Sequence, residues 1–304
     1  MSQYQPQKLD LAALESKPIA EDITVVIPTL GRPILEESLY WIVSGSAWPG
    51  GLVVVDQGRN PQVASWLDEL QSTGIKTHYF PSDQRGRASG VNRGLELAQT
   101  RFVAVTDDDC FVDEEWLENM VNHLRQNPKA IVTGRVEAGT DDVIVVVTSQ
   151  TPSVQRRPYL TFDHMSGGNM GTSLDVLSKI GLLDEDPRVR TAEDGEFAYR
   201  ALRAGVPIIY APDVALRHFG WRDEDQRSDQ YRDYAISHGG FYGKYLRKGD
   251  WFIALRAAAH HLRASRRWIK GTLQGDLEAR QYAQAYLAGL VPGIVAGMRE
   301  DNRQ

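Results

Sequence analysis

A single cysteine, Cys110, is present in 304 residues. An internal disulfide is therefore excluded, and a reducing compartment is the expectation. The opening stretch MSQYQPQKLD has no basic start followed by an apolar segment, so it does not read as a secretory signal, and a cytoplasmic placement is expected. No apolar stretch reaches the roughly 20 residues needed to cross a bilayer. The uncharged run from Ala285 to Met298 is shorter than that and is broken by Gly289, Pro292, Gly293 and Gly297. Charge of one sign does not dominate: 34 Lys and Arg stand against 40 Asp and Glu, for a net charge of −6. With 42% hydrophobic and 24% charged residues the profile is that of a globular protein, which excludes disorder, collagen and a disulfide scaffold. The negative balance and the lack of a recognition motif argue against a nucleic-acid partner. Three nucleotide or hydrolase signatures are also missing. There is no G-x-G-x-x-G in the first strand-to-helix turn, no G-x-x-x-x-G-K-[ST] and no G-x-S-x-G.

What is there is an alternation of short apolar runs with helical spacings. Ile23–Ile27 and Leu52–Val55 are continuous β-branched or apolar runs, the pattern of strands covered on both faces. Between them, from Pro33 to about Ser44, Leu35, Leu39 and Ile42 recur at helical spacing. A helix near Gln62–Leu70, a strand near Lys76–Phe80, a helix near Ala88–Ala98 and a strand at Phe102–Val105 continue the series. Such alternation predicts an α/β domain with a parallel sheet between helices. Residues 1–20 are read as a mobile lead-in, 21–222 as the catalytic domain and 223–304 as a helical extension.

In open sheets of this kind ligands gather beyond the carboxyl ends of the strands. The fourth strand run ends in VTDDDC, where Asp107, Asp108 and Asp109 form part of an acidic block without Lys or Arg from Thr106 to Leu124. Carboxylates at the first and third positions of such a turn suit a hard divalent cation that also holds substrate phosphates. A solvated acidic loop, or the cap of the helix starting near Asp113, fits the same residues. The stretch TAEDGEFAYRALRAG, residues 191–205, reads first as a helix start, with Thr191 and Asp194 in a capping-box arrangement, and only second as a catalytic acid site. His218 follows another apolar segment and reads either as a structural histidine or as a further metal ligand.

Taken in order, VVIPTLGR, VVVDQG, the Gly86–Asn92 turn, VTDDDC, SGGNMG and TAEDGEFAYRALRAG resemble the motifs of family 2 glycosyltransferases. The resemblance implies a GT-A nucleotide-sugar transferase fold: Rossmann-like, with a mostly parallel central sheet flanked by helices. It also implies inverting transfer of a hexosyl or deoxyhexosyl group from a UDP- or dTDP-sugar to a hydroxyl acceptor, in surface polysaccharide or glycolipid synthesis. It assigns nucleotide contacts to Pro28, Thr29, Arg32, Asp56, Arg87, Asp107 and Asp108. Mg²⁺ or Mn²⁺ goes to Asp109, with His218 as a further ligand. The donor or acceptor sugar goes to Gly167, Gly168, Asn169 and Glu193, and the general base is Asp194. One departure is Val91, which precedes Asn92 where the family often has a basic residue; Arg85 or Arg87 would supply that charge. A haloacid-dehalogenase-like phosphohydrolase also carries D-x-D after a strand, but Phe111 stands where it has Thr or Val. A non-catalytic nucleotide- or carbohydrate-binding module is the third reading.

The carboxy-terminal third is basic. Seven cations between Tyr245 and Lys270 face only Asp250. Trp251, Leu255, Ala258, Leu262 and Ile269 form an apolar stripe at helical spacing, and Arg256, His260, Arg263 and Arg267 a second stripe about 100° round the same helix. The apolar stripe is expected either to pack on the protein or to lie on an anionic bilayer. In the second case the basic helix makes a peripheral contact at the inner face of the membrane, near a lipid-linked or glycan acceptor.

Overall fold

Five consecutive β-branched residues, Ile23–Ile27, make the centre of β1 (Ile19–Thr29), and all five are buried because neighbouring strands and helices cover both faces. The computed structural model describes residues 7–9, 14–140, 146–219 and 224–299. Along the chain follow α1 (Leu35–Val43), β2 (Trp48–Asp56), α2 (Pro61–Ser72), β3 (Thr77–Pro81), α3 (Arg87–Leu97) and β4 (Phe102–Thr106). Then come β5 (Cys110–Val112), α4 (Trp116–Gln126), β6 (Ile131–Ala138), β7 (Ser153–Gln155), β8 (Asn169–Ser173), α5 (Leu174–Ile180), α6 (Glu193–Arg203) and β9 (Ile208–His218). Three long helices close the order: α7 (Glu224–Arg247), α8 (Trp251–Gln274) and α9 (Leu277–Met298).

The chain divides into two compact units. The first comprises Met1–Arg157, His164–Leu183 and Arg200–Gly220; the second comprises Pro158–Asp163, Asp184–Tyr199 and Trp221–Gln304. Residues 158–163 and 184–199, expected within the catalytic domain, thus group with the carboxy-terminal helices. The expected boundary at 222/223 lies outside the described residues, as do 1–6 and 10–13 of the expected lead-in. The described part of that lead-in is tied down rather than loose. The Gln7 backbone N–H donates to Glu37 at 3.1 Å, and Leu9 and Leu14 pack on the core.

In the first unit the sheet runs β3-β2-β1-β4-β8-β6-β9-β5, with β7 on β9. β3, β2, β1 and β4 are parallel neighbours, so their carboxyl ends open at one edge. Past β4 the sheet changes character, because β8 pairs antiparallel with both β4 and β6. That strand, NMGTS, lacks a β-branched run, which is why periodicity does not announce it. Core side chains from Ile23, Val25, Leu39, Leu52, Val54, Phe102 and Trp116 pack together. Asn60 caps α2 by accepting from the Gln62 N–H, with Pro61 preset for the first turn.

In the second unit α7 and α9 approach through glycines. A Cβ on Gly293 would collide with the Ile236 carbonyl, one on Gly243 with the Ile294 carbonyl and one on Gly297 with the Gly240 carbonyl. The glycines that break the Ala285–Met298 run therefore serve as contact points inside α9, and Pro292 is accommodated within that helix.

The face of α8 turned inward corrects the sequence expectation. Arg256 and His260, from the basic stripe, are each only 2% exposed. Arg256 pairs with Asp163 at 2.6 Å, and Phe162 sits edge-on to His260 with ring centroids 5.2 Å apart. Arg263 donates to the Leu160 carbonyl at 2.9 Å, and Arg267 lies over the Tyr282 ring. A buried guanidinium is tolerable only with a carboxylate to receive it, and Asp163 comes from a remote segment that helical spacing cannot display. Burial, with smaller contributions from His238 and the neighbouring arginines, pushes the His260 imidazole down to about 2, so it stays neutral. The apolar stripe faces outward, with Trp251 71% exposed.

Replacing Gly293 with alanine adds helix propensity worth roughly 1 kcal/mol. It nevertheless forces a methyl group into backbone, and overpacking of that kind costs about 1–3 kcal/mol. Net destabilisation is expected, seen as a lower midpoint in urea denaturation followed by circular dichroism. An unchanged or raised midpoint would show that the α7–α9 approach is looser than described.

Candidate functional site

The carboxyl ends of β1, β2 and β4 supply most of the expected residues. Thr29, at the end of β1, donates its hydroxyl to Asp108 at 2.6 Å and accepts from the Gly31 N–H at 2.9 Å. Gly31 sits at φ +73°, and there the chain turns toward Arg32. The Arg32 guanidinium reaches two members of the acidic turn, donating to Asp108 through Nε at 3.2 Å and to Asp109 at 2.9 Å. From the start of α3, Arg87 pairs with Asp107 at 2.8 Å. The turn itself is pinned by its backbone, since Ser38 donates to the Asp108 carbonyl and the Phe219 N–H to the Asp109 carbonyl.

His218 arrives by strand pairing. β5 lies antiparallel to β9 with Cys110 opposite His218, so the imidazole falls beside Asp109, Nε2 to Oδ1 at 3.4 Å. Two oxygen or nitrogen ligands at about 2.1 Å on neighbouring corners of an octahedron stand about 3 Å apart, so this separation suits a shared divalent cation. Sulfur of Cys110 lies in the same cluster. Burial, with Asp107 and Asp109 adding to it, pushes that thiol well above its ordinary value, so it remains protonated. A protonated thiol is a poor ligand for a hard cation, which leaves carboxylate and imidazole as the fitting donors.

The two inner carboxylates differ. Burial raises Asp108, and Arg32 only partly offsets it. Burial opposes the charge on Asp109 too, but His218 and Arg32 together outweigh it and hold the group below the usual carboxylate range. Asp109 is therefore the ionised member best placed to receive a cation.

Two of the expected site residues make several hydrogen bonds within the framework. Asp56 is fully buried, accepting from the N–H groups of Gly58 and Asn60 at 2.8 and 2.7 Å and from the Tyr79 hydroxyl at 3.1 Å. These bonds hold the turn after β2. Asn169 is also fully buried; its amide donates to the Arg135 and Val214 carbonyls and accepts from the Trp116 indole. Three such bonds tie it to the sheet. Pro28 is buried at the end of β1. Gly167 and Gly168 form the turn before β8, and Gly168 backs so closely onto the Asp107 carboxylate that a Cβ would meet it at 2.5 Å.

Glu193 and Asp194 open α6 in the second unit. Glu193 is buried; Asp194 is half-buried and accepts from the Gly195 N–H at 2.7 Å. Around Gly195 a Cβ would find open space. Ser38 escaped the sequence reading, and Gln57 entered it only as a member of the VVVDQG motif. Gln57 ties the turn after β2 to the carbonyls of Gln84 and Gly86, and nothing in its local pattern marks it for that.

An α/β sheet with an acidic turn, arginines and a histidine at its open edge is an architecture compatible with a glycosyltransferase. The description of Glycosyl transferase family 2 matches residues 24–181, just over half of the chain, and the chain belongs to that family. The family sets aside the phosphohydrolase reading. A pre-mycofactocin glycosyltransferase of Mycobacterium tuberculosis is 27% identical over 237 residues, covering 75% of this chain and 47% of its own length. Chondroitin synthase of Pasteurella multocida is 22% identical, covering 64% of this chain and 24% of its own length. The chain thus spans about half or less of these curated relatives. Among solved structures, a mannosyltransferase from Pyrobaculum calidifontis in complex with GDP-Man and Mn²⁺ matches with a TM-score of 0.62 at 18% identity, covering 93% of this chain and 87% of that one. TarS residues 1–349 from S. aureus, with UDP-GlcNAc, matches with a TM-score of 0.53 at 13% identity, covering 87% and 90%. At such identities these likenesses establish the fold, a GT-A arrangement with carboxy-terminal helices.

Burial and protonation make Cys110 unreactive. Ellman's reagent is expected to label the native chain at least about a hundredfold more slowly than the denatured chain, as befits an inert buried thiol. Rapid labelling under native conditions would place the thiol within reach of solvent and reopen it as a ligand.

Proposed function

We propose that this chain is an inverting, metal-dependent glycosyltransferase that moves a sugar from a UDP- or dTDP-type donor to a hydroxyl acceptor in surface glycan or glycolipid synthesis. The observation that carries the reading is the juxtaposition of Asp109 and His218 next to Arg32, at the open end of β4. Two of the similar folds, the Pyrobaculum enzyme and GalNAc-T7, were solved with Mn²⁺, which supports the metal part of the reading. Those structures hold GDP-Man and UDP respectively, so they do not decide the base of this chain's donor.

Asp109 and His218 would hold Mg²⁺ or Mn²⁺, and the cation would neutralise charge on the diphosphate as it leaves. The protein's own groups do the rest. Arg32 and Arg87 bring fixed positive charge to the acidic turn, and Thr29 and Ser38 keep that turn in place. Gly168 lets the chain approach Asp107 without a side chain in the way. Asp194 is the proposed general base, taking the acceptor hydroxyl proton as that oxygen attacks the anomeric carbon in one displacement. Its support is a place at a helix start, half-buried, beside the unfilled space at Gly195.

Two variants test this. Asp109→Asn removes the charge that attracts the cation, so Mn²⁺ should strengthen UDP binding at least about tenfold less in calorimetric titration than for the unaltered chain. If the unaltered chain bound no nucleotide sugar with or without Mn²⁺, the transferase reading would fail. Asp194→Asn should keep donor affinity within about threefold while turnover, followed by UDP release, drops at least about a hundredfold, the usual worth of a positioned base. Near-normal turnover would remove Asp194 from that role.

A further inference from the structure

Helix α8 carries apolar residues on two opposite faces. Ile253, Ala257, His260, Ala264 and Gly271 point into the second unit, and all are buried. Directly across the helix, at about 100° per residue, Trp251, Leu255, Ala258, Leu262, Ile269 and Leu273 fall in one narrow row. Leu255, Leu262 and Ile269 are each about half exposed, while Trp251 and Leu273 reach 71% and 82%. With a rise of about 1.5 Å per residue, the row runs for roughly 33 Å. An exposed apolar row of that length is more than scattered surface hydrophobics and marks a surface that meets something else.

Charge says what that partner is. α8 contains Arg256, Arg263, Arg266, Arg267 and Lys270 and no Asp or Glu. Arg256, Arg263 and Arg267 are engaged within the unit, with Asp163, the Leu160 carbonyl and the Tyr282 ring. Arg266 and Lys270 are exposed on the flank of the apolar row. A second copy docked on the same face would bury these cations with no carboxylate on either copy of the helix to receive them. A surface of anionic headgroups above an apolar interior receives both features at once: leucines and isoleucine enter the acyl boundary, tryptophan sits at headgroup level and the cations meet phosphate.

We propose that the outer face of α8, formed by Trp251, Leu255, Leu262, Ile269 and Leu273 with Arg266 and Lys270 beside it, lies in the interface of an anionic lipid bilayer. The apolar row is the stripe that the sequence pattern shows, and the cations beside it are Arg266 and Lys270, because Arg256 and His260 of the basic stripe are buried. No helix among the described residues is long and apolar enough to cross the bilayer, so the contact is peripheral. Binding of this kind needs neither metal nor nucleotide, and it stands or falls separately from the transferase reading.

Cosedimentation of the full chain with vesicles tests it, using phosphatidylcholine alone and phosphatidylcholine mixed with phosphatidylglycerol. The mixed vesicles should pellet the chain. Leu255→Glu and Leu262→Glu should each lower the apparent affinity at least about tenfold, since each puts a carboxylate into the buried face. Arg266→Ser and Lys270→Ser should each lower it about fivefold and reduce the preference for anionic vesicles. All four side chains are exposed, so thermal melting by circular dichroism should not move. Absence of binding to the mixed vesicles overturns the proposal, as does binding indifferent to both leucine substitutions. Sedimentation velocity supplies another decisive result: a wild-type dimer split by Leu262→Glu would make a second copy the occupant and overturn the bilayer.

Discussion

Three residues of β5 pair antiparallel with the end of β9, and the chemistry of the first unit follows from that short ladder. The ladder fixes Cys110 opposite His218, so an imidazole from residue 218 meets a carboxylate from residue 109 although more than a hundred residues separate them. The Phe219 N–H bond to the Asp109 carbonyl closes the far side of the same junction. Because side chains alternate along a strand, a slip of one residue would send His218 to the opposite face of the sheet. Position here is set by backbone hydrogen bonds, which are far stiffer than the side chains they carry.

Around that junction the charges are balanced in pairs. Arg32 lies against Asp108 and Asp109, and Arg87 against Asp107. Burial opposes the Arg32 charge, yet the two aspartates raise its pKa, and Arg32 in turn limits how far burial can raise Asp108. Removing one partner would strand the other in a poorly solvated place, a larger penalty than the pair's net contribution. The same logic governs Arg256 and Asp163 in the second unit, where both side chains are almost wholly withdrawn from water.

The parallel block was legible from residues 23–27, 52–55 and 102–105, because runs of β-branched and apolar side chains with helical spacings between them report burial directly. The acidic turn was legible for the same reason, since it ends one of those runs. β8 was not, because Gly, Asn, Thr and Ser carry no hydrophobic period and its place depends on pairing with β4 and β6. Asp56 and Asn169 were legible as residues at strand ends but not as framework groups, because their partners are backbone amides, a tyrosine hydroxyl and an indole brought by other segments. On α8 the two stripes were visible and their orientation was not. Helical spacing records which residues share a face, and only tertiary contacts decide which face goes in.

Each unit is assembled from three separate stretches of chain, and the boundary on one side falls inside α6, between Tyr199 and Arg200. The carboxy-terminal helices are consequently no detachable cassette. Trimming the protein at residue 222 would leave Phe162 and Asp163 without the rings and guanidinium they pack against, so a carboxylate and an aromatic ring would lose their partners together. Evolution could lengthen or decorate these helices, but shedding them would require rewriting two segments far upstream.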